Sequence, residues 1–177
     1  APKPEPALSA FEAQINAYVR QASAISALAS AASRGWLKVD AKPVKQALAT
    51  WVNKWQFRYT DYLQLSIINT LTELKEFMTQ INEGLATEVE PDNAEALLKA
   101  MTCIRDVRLR ADIVTGLWEP LKDKVGLLKK HGVIISEDYI EMLDNAPYDW
   151  ADTTKTTLTA REQLLPLQSL QAEKIKE

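Results

Sequence analysis

Two residues in this sequence could combine into a reacting pair. Cys103 is the one cysteine and His131 the one histidine. A thiol beside an imidazole makes a nucleophile, because the ring takes the proton and leaves a thiolate. Spacing argues against that use. The two lie 28 residues apart on what the pattern reads as one helix, roughly 40 Å by helical rise. A histidine favoured at a helix C-terminus and a buried core thiol explain them better. One Cys and one His also exclude a Cys/His zinc cluster and a disulfide within the chain.

Carboxylates come next. Glu88/Glu90, Asp92/Glu95, Glu137/Asp138 and Glu141/Asp144 are close pairs that could share acid–base work. Each falls at an expected helix start or in a turn, where negative charge complements free backbone N–H groups. Glu-x-x-His of a di-iron site and G-x-x-x-x-G-K-[ST] of a phosphate loop are both missing. The sequence therefore assigns no catalytic, cofactor-binding or metal-ligating residue and no cofactor. It predicts that this stretch has no ATP site and is not itself an enzyme.

Lys99, Arg105, Arg108 and Arg110 form a short basic cluster, interrupted by Asp106 and Asp112. A solvated helix face with local ion pairs is the simplest reading, and a protein partner the next. Five Trp stand out. Trp51, Trp55, Trp118 and Trp150 are expected to be buried helix anchors, while Trp36 is left open between burial and a partner-binding hot spot.

The 177 residues make one ordinary domain or two small ones, and 46% hydrophobic residues are enough for a core. The formal net charge of −3 gives no drive toward nucleic acid, no membrane-spanning run is present, and no site for a small-molecule substrate is visible. Only five Gly occur, against a sheet-and-turn protein.

The elements follow from a helical period that recurs almost everywhere. Residues 1–8, with Pro2, Pro4 and Pro6, read as an extended leader, and 9–177 as a helical bundle. Ser9 and Glu12 form a capping box for a first helix ended by Gly35. Its inward stripe is Phe11, Ile15, Tyr18, Ala22, Ile25 and Ala29.

Asp40 caps a second helix, with Pro43 in its first turn. That helix carries one stripe: Val44, Leu48, Trp51, Trp55, Tyr59, Leu63, Ile67, Leu71, Leu74, Met78, Ile81 and Leu85. The mean step of about 3.7 residues favours a straight or weakly right-handed seam. Its length, roughly 65 Å, predicts an elongated domain.

Asp92 caps a third helix through Leu97, Met101, Ile104, Arg108, Ile113, Leu117, Leu121 and Leu128, kinked near Gly116–Pro120 and stopped by Gly132. Ser136 starts a short helix to about Asp144, and Pro147 opens a last one with Trp150, Leu158, Leu164, Leu165, Leu167 and Leu170 inward. The fold class is all-α: an elongated antiparallel bundle of four to five helices, two of them long. The uncapped ending, Gln171 to Glu177, suggests a piece cut from a longer polypeptide.

Ordered blocks in the sequence carry a resemblance. They are Leu117-Trp118-Glu119-Pro120-Leu121-Lys122, Leu127-Leu128, Pro147-Tyr148-Asp149-Trp150 and Leu164-Leu165-Pro166-Leu167-Gln168, preceded by Trp36-Leu37-Lys38-Val39-Asp40-Ala41-Lys42-Pro43-Val44-Lys45-Gln46-Ala47-Leu48. Trp55, Tyr62-Leu63 and Leu74-Lys75-Glu76-Phe77 match the helix that follows. In this order and spacing they resemble axonemal dynein heavy chains over roughly residues 9–177. Leu117-Trp118 stands where that family more often has Met-Phe, which keeps the bulk.

The resemblance implies a segment of the heavy-chain tail just before the linker, in a parent protein that is an ATP-hydrolysing microtubule motor. It implies a structural part that holds motor geometry and offers docking faces. The implied partners are dynein intermediate or light chains or neighbouring heavy chains. The implied place is cytoplasm and cytoskeleton, in the axoneme of a cilium or flagellum. A free-standing helical adaptor or scaffold of vinculin or spectrin type is the rival reading.

Overall fold

The structure, a computed structural model, describes residues 6–86 and 93–174. Five helices and one small hairpin make it up: α1 Leu8–Ala27, β1 Ala31–Arg34, β2 Leu37–Asp40, α2 Lys42–Ala86, α3 Ala94–Thr115, α4 Trp118–Lys130 and α5 Glu137–Lys174. It is 84% helical, so the all-α class holds. The two long helices are α2, with 45 residues, and α5, with 38.

Two compact units share these elements. The described residues of unit 1 fall within Ala1–Ser66 and Lys124–Ile134, and those of unit 2 within Ile67–Asp123 and Ile135–Glu177.

In unit 1, α1 buries Ile15 completely, and Phe11, Tyr18, Ala22 and Ile25 are half-buried on the same stripe, whereas Ala29 lies beyond the helix and is exposed. Its N-terminus differs from the capping-box expectation. Ala7 occupies the cap position without a side-chain hydrogen bond, and Glu12 is drawn instead to Lys130 of α4, at 2.7 Å. An ammonium meets the carboxylate with a full charge on both sides of the bond, where a backbone N–H brings only a partial one.

The helix also ends before Gly35. After Ala27 the chain forms an antiparallel hairpin with Arg34 opposite Leu37 and Ala31 opposite Asp40. Gly35 takes φ +60 in the two-residue connection and Trp36 has no positive φ. That is the type II′ pattern, which needs glycine at its first central position. Every hairpin residue is exposed. Lys45 Nζ donates to the Ser26 and Leu28 carbonyls at 2.7 and 2.8 Å, satisfying the carbonyl end of α1 with a cation.

Asp40 does serve the start of α2, since its Oδ1 accepts from Lys42 N at 2.9 Å. Pro43 sits in the first turn, where no N–H is needed.

In unit 2, the C-terminal part of α2 packs with α3 and α5 around Leu74, Met78, Ile81, Val107, Val114, Ala146 and Trp150. Phe77 and Trp150 lie 6.4 Å apart at 30°, and the Arg110 guanidinium covers the Phe77 face at 4.2 Å. A second cluster joins Leu97, Ala100 and Leu164, with Leu167 half-buried against it. Leu165 is exposed, and the Leu170 side chain lies outside the described residues. Thr153 and Thr157 are buried on α5. Thr157 donates to the Thr153 carbonyl at 2.7 Å, and Thr153 accepts from Asn82 Nδ2 at 3.3 Å; satisfied hydroxyls can stay inside.

Several helix boundaries move. The expected kink is a break: α3 stops at Thr115, Gly116 caps it, and α4 begins at Trp118. Pro120 therefore lies in a first turn, where its ring meets no preceding helical carbonyl. Asn93 caps α3, accepting from Ala96 N at 3.0 Å; Asp92, the expected cap, lies outside the described residues, as do Glu88, Glu90 and Pro91. The expected break at Pro147 is absent, and α5 runs through Pro147 and Pro166. Leu143, Ala146 and Trp150 are buried on both sides of Pro147, and their packing offsets a cost of about 3 kcal/mol for an interior proline.

Candidate docking surfaces

The two residues that could have made a nucleophilic pair fall in different units. Cys103 lies on α3 in unit 2, half-buried, packed against the Leu74–Trp150 cluster. Burial and then the neighbouring Asp106 push its thiol above the usual range, so the thiolate is disfavoured. A Cβ on Gly84 would stand 2.7 Å from Cys103 Sγ; only glycine lets α2 and α3 come this close here.

His131 follows α4 in unit 1. There Val133 N donates to Leu128 O and Gly132 N to Lys129 O, both at 3.0 Å, with Gly132 at φ +72. This is a Schellman ending. The His131 ring is half-buried and its Nε2 is buried with no hydrogen-bond partner among the described residues.

Of the described carboxylates, Asp138 and Glu141 share the lining of one cavity with Asp149 and Lys75. Glu95, Glu137 and Asp138 stand in first helical turns, and Glu141 and Asp144 are exposed on α5. No group of three His, Cys, Asp or Glu able to hold a metal occurs among the described residues. No described helix is long and apolar enough to cross a membrane.

What the surface does offer is apolar area. The stripe expected to be buried along all of α2 is exposed in its first part: Val44, Leu48, Trp51 at 60% and Trp55 at 47% stay in solvent. The burial expected for Trp51 and Trp55 is thus corrected. In the unit 1 stretch of α2 the buried positions are Val52, Thr60 and Leu63, so the inward face is rotated from the predicted one at first and rejoins it at Leu63. Trp150 is buried, as expected, Trp118 is only half-buried, short of the expected burial, and Trp36 is 94% exposed at the hairpin turn.

Beside this stripe, an aromatic cluster ties α1 to α2. Phe11 stacks on Tyr62 at 5.6 Å and 6°, meets Tyr59 edge-on at 6.1 Å, and Tyr18 meets Tyr59 at 5.8 Å. A cavity of about 310 Å³ opens over these rings, lined also by Pro6, Trp55 and Arg58. Lys54 Nζ lies 5.8 Å over the Trp51 ring. Exposed Trp flanked by cations and aromatic walls is the composition of a protein-binding hot spot. The signal was in the sequence: two tryptophans one helical turn apart mark an apolar face, and the structure leaves that face exposed.

In unit 2 the basic cluster is split between two surroundings. Arg110 covers Phe77, Arg105 pairs with Asp106 at 3.0 Å, and Arg108 turns into a groove between α3 and α5. The expected stripe of α3 is also rotated. Ala100, Val107 and Val114 are buried with Leu97, whereas Met101 and Ile113 are exposed.

No family model matches the chain. Individual proteins do. The chain is 36% identical over 200 residues to the dynein beta chain of the flagellar outer arm of Chlamydomonas reinhardtii, covering 97% of this chain. It is 31% identical to the ciliary dynein beta chain of Tripneustes gratilla and 29% identical to mouse dynein axonemal heavy chain 17, each over 95% of this chain. The chain spans about 4% of the length of these relatives. They correct one expectation: dynein heavy chains are ATPases, so the reading of the sequence as no enzyme does not carry over to the protein.

Proposed function

The chain has the sequence of an axonemal dynein heavy-chain segment, and on that premise we propose that it lies in the heavy-chain tail and works as a docking and geometry-holding part. Its place is the cytoskeleton of the cilium or flagellum, in the axoneme. In this reading its helical region, 9–177, keeps the spacing between parts of the heavy chain, because close-packed helical interiors carry strain with little give. Its exposed faces receive other dynein subunits, either intermediate or light chains or a neighbouring heavy chain.

One observation carries the reading: the apolar stripe Val44, Leu48, Trp51 and Trp55 lies on the surface of a helix whose same row is buried further on, at Leu63, Ile67, Leu71, Leu74, Met78 and Ile81. Contiguous exposed apolar faces of this kind mark interaction sites. The test exchanges all four for Ser or Gln in the heavy chain. Because the four are exposed, circular dichroism of the segment should not change. The expected result is loss of at least one associated subunit when the dynein is purified. Retention of the full set of subunits would count against docking on this face.

A further inference from the structure

The groove between α3 and α5 of unit 2 has a chemistry unlike the rest of the chain. It encloses about 560 Å³. Its floor includes Ile104 and Val107 from α3 and Leu158 from α5, and three guanidiniums stand around it: Arg105, Arg108 and Arg161. No carboxylate lines it among the described residues, although acidic residues outnumber basic ones in the chain by 24 to 21.

Arg105 is engaged with Asp106. Arg108 and Arg161 have no ion pair among the described residues. Leu158 is 54% exposed. The groove thus combines an uncovered apolar floor with two uncommitted cations.

Each helix presents its residues at helical intervals: Ile104, Arg108 and Ala111 on α3, and Thr154, Leu158 and Arg161 on α5. Two parallel rows at i, i+4 and i+7 are what a third helix lays its own stripe into. The α3 row from Met101 to Ala111 spans roughly 15 Å, which is about three helical turns of a ligand.

The charge selects the ligand. A guanidinium presents a planar fork that fits a carboxylate with two parallel hydrogen bonds. Nucleic acid is a poor match, since among the described residues the lining holds no aromatic ring for a base and no lysine.

We propose that this groove seats an amphipathic helix of a protein partner, apolar where it faces Ile104, Val107 and Leu158 and bearing Glu or Asp where it meets Arg108 and Arg161. This rests on the docking reading above but uses a different face, in the other unit. The groove can therefore fail while the α2 stripe still holds a subunit, and the stripe can fail while the groove binds.

The experiment uses the 177-residue chain and two synthetic helical peptides of about 18 residues each, roughly 27 Å long. One carries Leu at three- and four-residue spacing with flanking Glu; the other replaces every Glu by Lys. Binding is read by fluorescence anisotropy. The acidic peptide should bind at least about tenfold more tightly than the basic one, and added salt should weaken it.

The double variant Arg108→Glu/Arg161→Glu should reverse that preference, which a merely unfolded protein would not do. Leu158→Glu should weaken both peptides. Absence of binding, equal binding of the two peptides, or a preference untouched by the double variant would overturn the proposal. So would self-association of the chain, seen by sedimentation equilibrium and abolished by the double variant, because the occupant would then be a second copy.

Discussion

The two ends of α2 obey the same periodic rule and meet opposite fates. In unit 2, Ile67, Leu71, Leu74, Met78 and Ile81 are all buried. In unit 1, Val44, Leu48, Trp51 and Trp55 continue the same three- and four-residue spacing and lie exposed. The residues of the exposed end are, if anything, larger. Periodicity therefore states that a helix has an apolar face; it does not state that the same chain covers it. Where α3 and α5 lie against α2, the face is core. In unit 1 the Val44–Trp55 part of the row stays exposed, an uncovered apolar stripe.

The contrast is broken most directly by truncation. Leu71 is 1% exposed, so Leu71→Ala should cost about 2–5 kcal/mol, from lost transfer energy and the cavity left behind. Val44→Ala, on the exposed end, should fall within about 0.5 kcal/mol of zero. Urea unfolding of the two variants measures both. Equal costs would mean that the first part of α2 is covered after all, and the docking reading would lose its main support.

How far the sequence alone reached depends on the same distinction. Ile15, the Leu63–Ile81 stripe, Leu97, Trp150 and Leu164 were legible, because each stands where a strong hydrophobe meets a helical row. The rotation of α3 was not: Ala100 is among its most buried residues, and alanine looks alike on either face. The hairpin left a readable trace, Gly35 ahead of the alternating Leu37-Lys38-Val39-Asp40, which is the two-residue turn signature. The small residues before it, which suit a close helix contact equally well, masked that trace. At Gly116 the sequence Gly-x-Trp-Glu-Pro reads both as a kink and as a stop followed by a new first turn. Pro147 misled in the other direction, because tertiary packing overrode a local rule. The docking surfaces were half legible: the tryptophans and arginines drew notice, but their exposure follows from which neighbours are present.

A smaller effect sharpens the buried side of the comparison. Gly84 is buried within α2, 2.7 Å from Cys103 Sγ by its would-be Cβ. Gly84→Ala gains about 1 kcal/mol of helix propensity and loses about 1–3 kcal/mol to overpacking. The overpacking should win, giving net destabilisation. In a Cys103→Ala background the clash disappears, and the same substitution should become neutral or stabilising. A double-mutant cycle of urea midpoints reads the difference. An unchanged cost in both backgrounds would show that the contact between α2 and α3 is not what excludes a side chain at this position.

The smallest expected effect belongs to the surface of unit 1, where α1 and α4 meet through Glu12 and Lys130 at 2.7 Å. The hydrogen bond from Lys130, reinforced by its charge, holds the Glu12 carboxyl below the usual glutamate range. A carboxylate with a lowered folded-state value adds stability that is present above the unfolded value and fades as pH falls through the folded one. The gain should therefore be complete at neutral pH and vanish in acid. Lys130→Met should return the Glu12 titration, followed by carboxyl NMR, to about its ordinary 4.5, and should flatten this part of the acid dependence of unfolding. Solvent screening keeps such a pair weak, so the melting temperature should hardly move. A titration left unchanged by Lys130→Met would locate the cause of the shift elsewhere, and α1 would then be held in unit 1 by the burial of Ile15 and by the aromatic cluster that ties it to α2, without help from this ion pair.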